Sequence, residues 1–280
     1  MRRRGVWADA RAFVLVLAFA LPWLASGARA ESHLDAIVAR GEIRVGLINQ
    51  PPFVKYDPAT QSWSGPNHDM AKLFAEAAGL KVSFVELNYS NVIAGIQAGK
   101  VDAVLSPFYA TPKRTLAVWY TIPYRYERSG ILMRKERAAK FNDLADLNKE
   151  GVNLVVTTGS ASERDAATYF PKATTKVANF DSVLLEVQAG RVDAWLTDMD
   201  TAALAGSKNT DWAIVWHPEI SFNPTPMSFL VPRGDAELAF LLNTAIQYYE
   251  TQGTILEIEN KWGMPDWRKH DGAAAAKKAE

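Results

Sequence analysis

The sequence predicts an α/β protein of two similar lobes, each a mostly parallel sheet with helices on both faces. Three observations carry this. Val92 to Ser106 (VIAGIQAGKVDAVLS) recurs as Val183 to Thr197 (VLLEVQAGRVDAWLT), with eight of fifteen positions identical. Each copy reads as a helix stopped by a glycine, Gly99 or Gly190, followed by a short buried strand opening at Val-Asp-Ala. Strand-like and helix-like segments alternate along the chain, which argues for parallel pairing. The 280 residues are 48% apolar, enough for two medium-sized units and too apolar for wholesale disorder. Two copies are too few for a solenoid; the alternative to two like lobes is a chance match between ordinary α/β segments.

The first thirty residues stand apart. Arg2, Arg3 and Arg4 precede an uninterrupted apolar run from Ala12 to Leu24, and Ala28-Arg29-Ala30 supplies small residues for cleavage before Glu31. That is a secretory signal, and the run is shorter than the roughly 20 residues a membrane span needs. Ile43 to Gly46 then reads as a strand ending in a Pro-rich loop, Asn49 to Phe53. Met70, Leu73, Phe74 and Ala77 mark one helical face closed by Gly79, and Lys81 to Leu87 alternates as a strand. Leu154 to Thr158 is a strand opening into Gly159-Ser160, where Ser160 and Glu163 have capping-box spacing. Met227 to Val231 is a later strand, Glu237 to Tyr249 a helix, and the stretch from residue 271 a disordered tail.

Composition excludes several chemistries. With no cysteine there is no disulfide, thiol nucleophile or cysteine-bound metal, and the four histidines lack metal-ligand spacing. Removing the signal's five arginines and one aspartate from 31 basic and 31 acidic residues leaves a net charge of −4, with no footprint for nucleic acid. No P-loop, GxGxxG or common catalytic motif occurs, so neither metal nor cofactor is expected.

Parallel α/β sheets bind ligands beyond the carboxyl ends of their strands. Thr111-Pro112 reads as a helix start, N-cap and first turn, with Arg114 set to grip a carboxylate or else pair on the surface. Asp198 ends a buried strand, where it either caps the next helix or receives an ammonium group. Facing each other, the two would match a zwitterion. Ser160 adds a hydroxyl at a helix N-terminus, or simply caps it. Tyr89, Tyr109, Phe53 and Phe108 are candidate cleft walls, with Phe108 assigned to the core. The aromatic cluster from Trp119 to Tyr126 is expected near the crossing between lobes.

Asp102-Ala-Val-Leu-Ser…Thr111-Pro-Lys-Arg114, Val192-Asp-Ala-Trp-Leu-Thr-Asp198 and MSFLVPRGDAEL…TQGTILEIENKW occur here in an order that resembles the extracellular solute-binding proteins of family 3. These are the periplasmic receptors of polar amino-acid ABC importers. The resemblance implies a type II periplasmic-binding-protein-like fold with a two-strand hinge near Ser129 to Met133 and Met227 to Val231. Lobe 1 would span 31–131 and 229–270, lobe 2 132–228. It further implies that Arg114 binds a ligand α-carboxylate with help from Ser160, that Asp198 takes the α-ammonium, and that Gln50, Tyr89 and Tyr109 face the ligand. A monomeric receptor handing a small molecule to a membrane ABC permease follows. Pro107 and Tyr109 replace the small residue and Ser or Thr common in amino-acid receptors, which leaves a non-amino-acid carboxylate open. Dehydratases acting on arogenate or prephenate share this fold, and they use a glutamate where this chain has Thr201. Threonine cannot protonate a leaving hydroxyl at neutral pH, so a binding protein rather than an enzyme is expected.

Overall fold

The computed structural model describes residues 32–218 and 223–268. The expected signal segment, its cleavage site and the C-terminal tail lie outside them. Helix α1 (His33–Arg40) leads into β1 (Glu42–Ile48). A hairpin of β2 (Lys55–Asp57) and β3 (Ser62–Ser64) follows, then α2 (Pro66–Ala77), β4 (Lys81–Leu87), α3 (Val92–Gln97) and β5 (Ala103–Tyr109). A 3-10 turn at Arg114–Leu116 precedes β6 (Val118–Tyr120) and β7 (Arg125–Glu127). The second half contains β8 (Ser129–Arg134), α4 (Lys135–Ala138), α5 (Leu144–Leu147), β9 (Asn153–Thr157) and α6 (Ala161–Tyr169). It continues through β10 (Thr174–Ala178), α7 (Phe180–Gln188), β11 (Ala194–Asp198), α8 (Met199–Lys208) and β12 (Ala213–Val215). The chain closes with β13 (Thr225–Pro232), α9 (Ala236–Thr251) and α10 (Thr254–Lys261).

These elements form two sheets of the same design. The first has the order β4-β1-β5-β13-β6, with β7 also paired to β13; the second runs β10-β9-β11-β8-β12. In each, three parallel strands are extended by antiparallel ones. The repeat occupies equivalent places, as helix α3 with strand β5 and helix α7 with strand β11. Gly99 and Gly190 both stop their helices with φ near +67°, at +66° and +68°.

The repeated aspartates explain why the sequence recurs. Asp102 accepts from the backbone N–H of Arg44 at 2.7 Å, and Asp193 accepts from that of Asn153 at 2.9 Å. In return the N–H groups of Asp102 and Asp193 donate to the carbonyls of the same two residues. Each buried carboxylate thus pins the start of its strand to the neighbouring parallel strand, β1 or β9, and each is charge-paired, Asp102 with Arg40 and Arg44, Asp193 with Arg137. A chance resemblance would not reproduce this bonding twice.

Both faces of each sheet are covered, as parallel strands require. In the first, Leu47, Phe53, Met70, Phe229 and Leu242 pack beneath α1, α2, α9 and α10, while Val92, Ile96, Val104 and Phe108 pack beneath α3. In the second, Leu154, Val156, Phe170 and Leu196 fill one face and Val155, Val183, Val187 and Trp195 the other.

The two expected hinge strands each belong wholly to one sheet. All of β8 pairs with β11 and β12, and all of β13 pairs with β5, β6 and β7. The chain therefore crosses between sheets at Arg128 and again between β12 and β13, not at 131/132 and 228/229. Because each sheet's antiparallel strand comes from the far side of a crossing, the lobes are tied by both connections.

Candidate functional site

A narrow, partly enclosed cleft lies between the carboxyl ends of the parallel strands of the two sheets. Seven of the eight residues singled out from sequence line it: Gln50, Tyr89, Pro107, Tyr109 and Arg114 from the first lobe, Ser160 and Asp198 from the second. Thr111 does not. Its segment forms a 3-10 turn rather than the expected helix, with Thr111 Oγ1 only 3.4 Å from the Arg114 N–H. The turn still serves, because it swings the Arg114 side chain back over β5.

Arg114 is held by geometry rather than by charge. Nη2 donates across the cleft to the Gly159 carbonyl at 2.7 Å, and Nη1 donates to the Tyr109 carbonyl at 3.3 Å. The guanidinium lies over the Phe108 ring, 4.3 Å from its centroid. Phe108 is core, as expected, yet it is also the platform on which the cation rests. Burial pushes the guanidinium below its ordinary pKa, and it makes no ion pair among the described residues. A guanidinium stays charged in proteins, so this one is an uncompensated cation with spare donors.

Asp198 caps the next helix, one of its two readings, and turns its other oxygen to Gln50 in the cleft. One oxygen caps α8, accepting from the Thr201 N–H at 2.8 Å; the other accepts from Gln50 Nε2 at 2.8 Å. Thr197 Oγ1 adds a longer contact at 3.4 Å. A carboxylate has about four lone-pair sites, so capacity remains for one more donor. Burial pushes its pKa from 3.8 to about 6. The amide of Gln50 is oriented by Tyr89, whose hydroxyl donates to Gln50 Oε1 and lies 3.2 Å from the Pro107 carbonyl. Burial raises the pKa of Tyr89 and Tyr109, keeping both phenols neutral.

Ser160 departs from the capping box. Glu163 accepts from the N–H of Gly159, one residue earlier than the box requires, at 2.9 Å. The Ser160 hydroxyl is buried without a partner and lines the cavity, and the first N–H groups of α6 have no acceptor within the helix. The Tyr109 hydroxyl is likewise buried without a partner. Phe53, expected as a possible cleft wall, is fully buried in the first lobe's core instead. Thr157 and Phe180, which sequence reasoning missed, also line the cleft, as does Thr197; all sit at or just past strand ends, where the topological rule directs attention.

Residues 43–265 match the profile of the bacterial extracellular solute-binding proteins, family 3. The chain belongs to this family. Among family 3 relatives, the cyclohexadienyl dehydratase of Pseudomonas aeruginosa is 27% identical over 208 residues, covering 74% of this chain and 77% of that protein. The L-arginine-binding protein of Pseudomonas aeruginosa is 26% identical over 239 residues, covering 82% and 90%. The crystal structure of an ancestral amino acid-binding protein, a precursor of cyclohexadienyl dehydratase, superposes with a TM-score of 0.76 at 33% identity, covering 82% of this chain and 99% of that one. The family 3 fold is thus shared by receptors and by at least one enzyme. No helix among the described residues is long and apolar enough to cross a membrane.

Proposed function

We propose that this protein is a periplasmic receptor that captures a small zwitterion, an α-amino acid, and delivers it to an ABC importer without altering it. The observation that carries this reading is the pair of opposite charges on one cavity: Arg114 from the first lobe, Asp198 from the second, and an otherwise uncharged lining. The ligand carboxylate takes the spare donors of Arg114, the Ser160 hydroxyl and the open N–H groups of α6. Its ammonium takes the remaining lone pair of Asp198. The carboxylate then bridges the two lobes while the ammonium rests on the second, so the ligand favours the closed arrangement by its differential affinity for it.

Binding without turnover is favoured by Thr201. Its N–H is capped by Asp198, and its hydroxyl lies 3.3 Å from the Pro51 carbonyl, so no carboxylic acid stands there to protonate a leaving group. A thermal-shift panel of amino acids, amines and carboxylates tests the class, since a ligand bound only by the native state raises stability by RT ln(1 + [L]/Kd). Free α-amino acids are expected to give the largest shifts. Incubation with arogenate or prephenate should yield no product; steady formation of phenylalanine or phenylpyruvate that tracks the protein would make it a dehydratase.

Closure itself depends on Gly159. Its φ is +73°, and a Cβ there would sit 2.8 Å from the Tyr89 carbonyl of the opposite lobe. Gly159→Ala is expected to weaken binding of the best amino acid by about tenfold or more, or ~1.4 kcal/mol. Unchanged affinity on calorimetric titration would mean that the lobes do not come this close when ligand is bound.

A further inference from the structure

Behind the cavity, where the chain crosses between lobes, lies a second charged cluster that ligand capture does not use. Arg125 of β7 is 2% exposed and faces three carboxylates. Asp200, near the start of α8 in the second lobe, is 2.7 Å from Nη2; Glu259 of α10 is 3.0 Å from Nη1; Glu127 of β7 is 3.5 Å from Nη2. Arg268 reaches Glu259 only at 3.6 Å and is shared with Glu250 and Asp266. Around them stand Asp198, two residues before Asp200, and the phenols of Tyr109 and Tyr124.

The charges do not balance. Three buried carboxylates crowd one buried guanidinium, and Arg125 Nε and the Oε2 atoms of Glu127 and Glu259 have no hydrogen-bond partner. Glu127 Oε1 accepts only the neighbouring Arg128 N–H, at 2.9 Å. Crowded carboxylates out of water relieve their repulsion by keeping a proton. Glu127, Arg125 and Glu259 all belong to the first lobe; Asp200 alone belongs to the second. Opening the cleft removes Asp200 and admits water, whereas closing brings Asp200 onto Arg125 and against Glu127.

We propose that Glu127 and Asp200 form a proton-binding site that exists only when the lobes are closed, so that closure takes up a proton. Burial and the nearby Asp200 both push Glu127 well above its ordinary value of 4.5 in the closed arrangement. Burial likewise pushes Glu259 to about 7, with Arg125 opposing. A carboxyl whose pKa is higher closed than open stabilises closure fully at low pH and loses that contribution as pH rises from 4.5 through the closed-state value. Acid thus favours the closed form even before ligand arrives.

The chain has no native cysteine, so Ser90→Cys and Asp181→Cys, both exposed at the cleft mouth on opposite lobes, accept a pair of spin labels. Interlobe distances are measured with no ligand added. The closed-to-open ratio should rise between about pH 8 and about pH 5, by up to about tenfold for each unit by which closure raises the pKa. Glu127→Gln, which mimics the protonated acid, should remove most of that rise. Asp200→Asn should do the same, so that poor folding of one variant leaves the test intact. A ratio independent of pH in the protein with Glu127 and Asp200 intact overturns the proposal. So does a pH dependence undiminished in both the Glu127 and Asp200 variants, or one that vanishes in Asp198→Asn instead.

Discussion

Arg114→Ala is expected to weaken ligand binding by roughly 30- to 5,000-fold, the 2–5 kcal/mol typical of removing one partner from a buried charge pair. The fold should survive, because the Arg114 guanidinium meets two backbone carbonyls, the Tyr120 hydroxyl and the face of Phe108, all at the cleft. No strand or core cluster depends on it. Arg114→Lys should also bind poorly: an ammonium cannot grip a carboxylate with two parallel donors, nor lie flat on the ring. Calorimetry with the best amino acid from the panel reads both variants. Near-native affinity in Arg114→Ala would reduce the residue to a clasp on Gly159, and the carboxylate would then have to be held by Ser160 and α6 alone.

The repeat made the two-lobed fold legible, because its aspartates perform the same bonding in both sheets and so had to be kept together with their glycine stops. Strand ends were legible too, which is why the topological rule pointed to Arg114 and Asp198, whereas Gln50 came from the family resemblance. What local pattern cannot say is which sheet a strand joins. Ser129 to Met133 and Met227 to Val231 read alike as buried strands, and only long-range pairing assigns β8 to the second lobe and β13 to the first. The Thr-Pro start at Thr111 carried a true turn signal, but the chain enters β6 before a full helical turn can form. The Ser160 box failed by one residue, since Glu163 reaches the N–H of Gly159 and leaves the serine hydroxyl to the cavity.

Arg125 was invisible for a different reason. It sat inside the aromatic run from Trp119 to Tyr126, of which only Tyr126 of β7 adjoins the crossing, while Tyr124 stacks on Phe229 in the first lobe's core with ring centroids 4.4 Å apart. Its partners Asp200 and Glu259 lie 75 and 134 residues further on, so no spacing rule connects them.

The most direct test of the zwitterion account compares the best amino acid with its α-keto and N-acetyl analogues by calorimetry. Asp198 is buried, with one lone pair to spare, and a buried carboxylate gains from a cation and is penalised by a second oxygen. The analogues lack the ammonium and should bind at least about 100-fold more weakly, about 2.7 kcal/mol. Asp198→Asn should erase most of that difference while Arg114 still holds the carboxylate. The amino acid's advantage should also shrink as pH falls through about 6, where the unliganded Asp198 becomes protonated and must release its proton to receive the ammonium. Equal affinities for the amino acid and the keto acid would contradict the account. They would leave Asp198 as a helix cap satisfied by Gln50, and the ligand as a plain carboxylate.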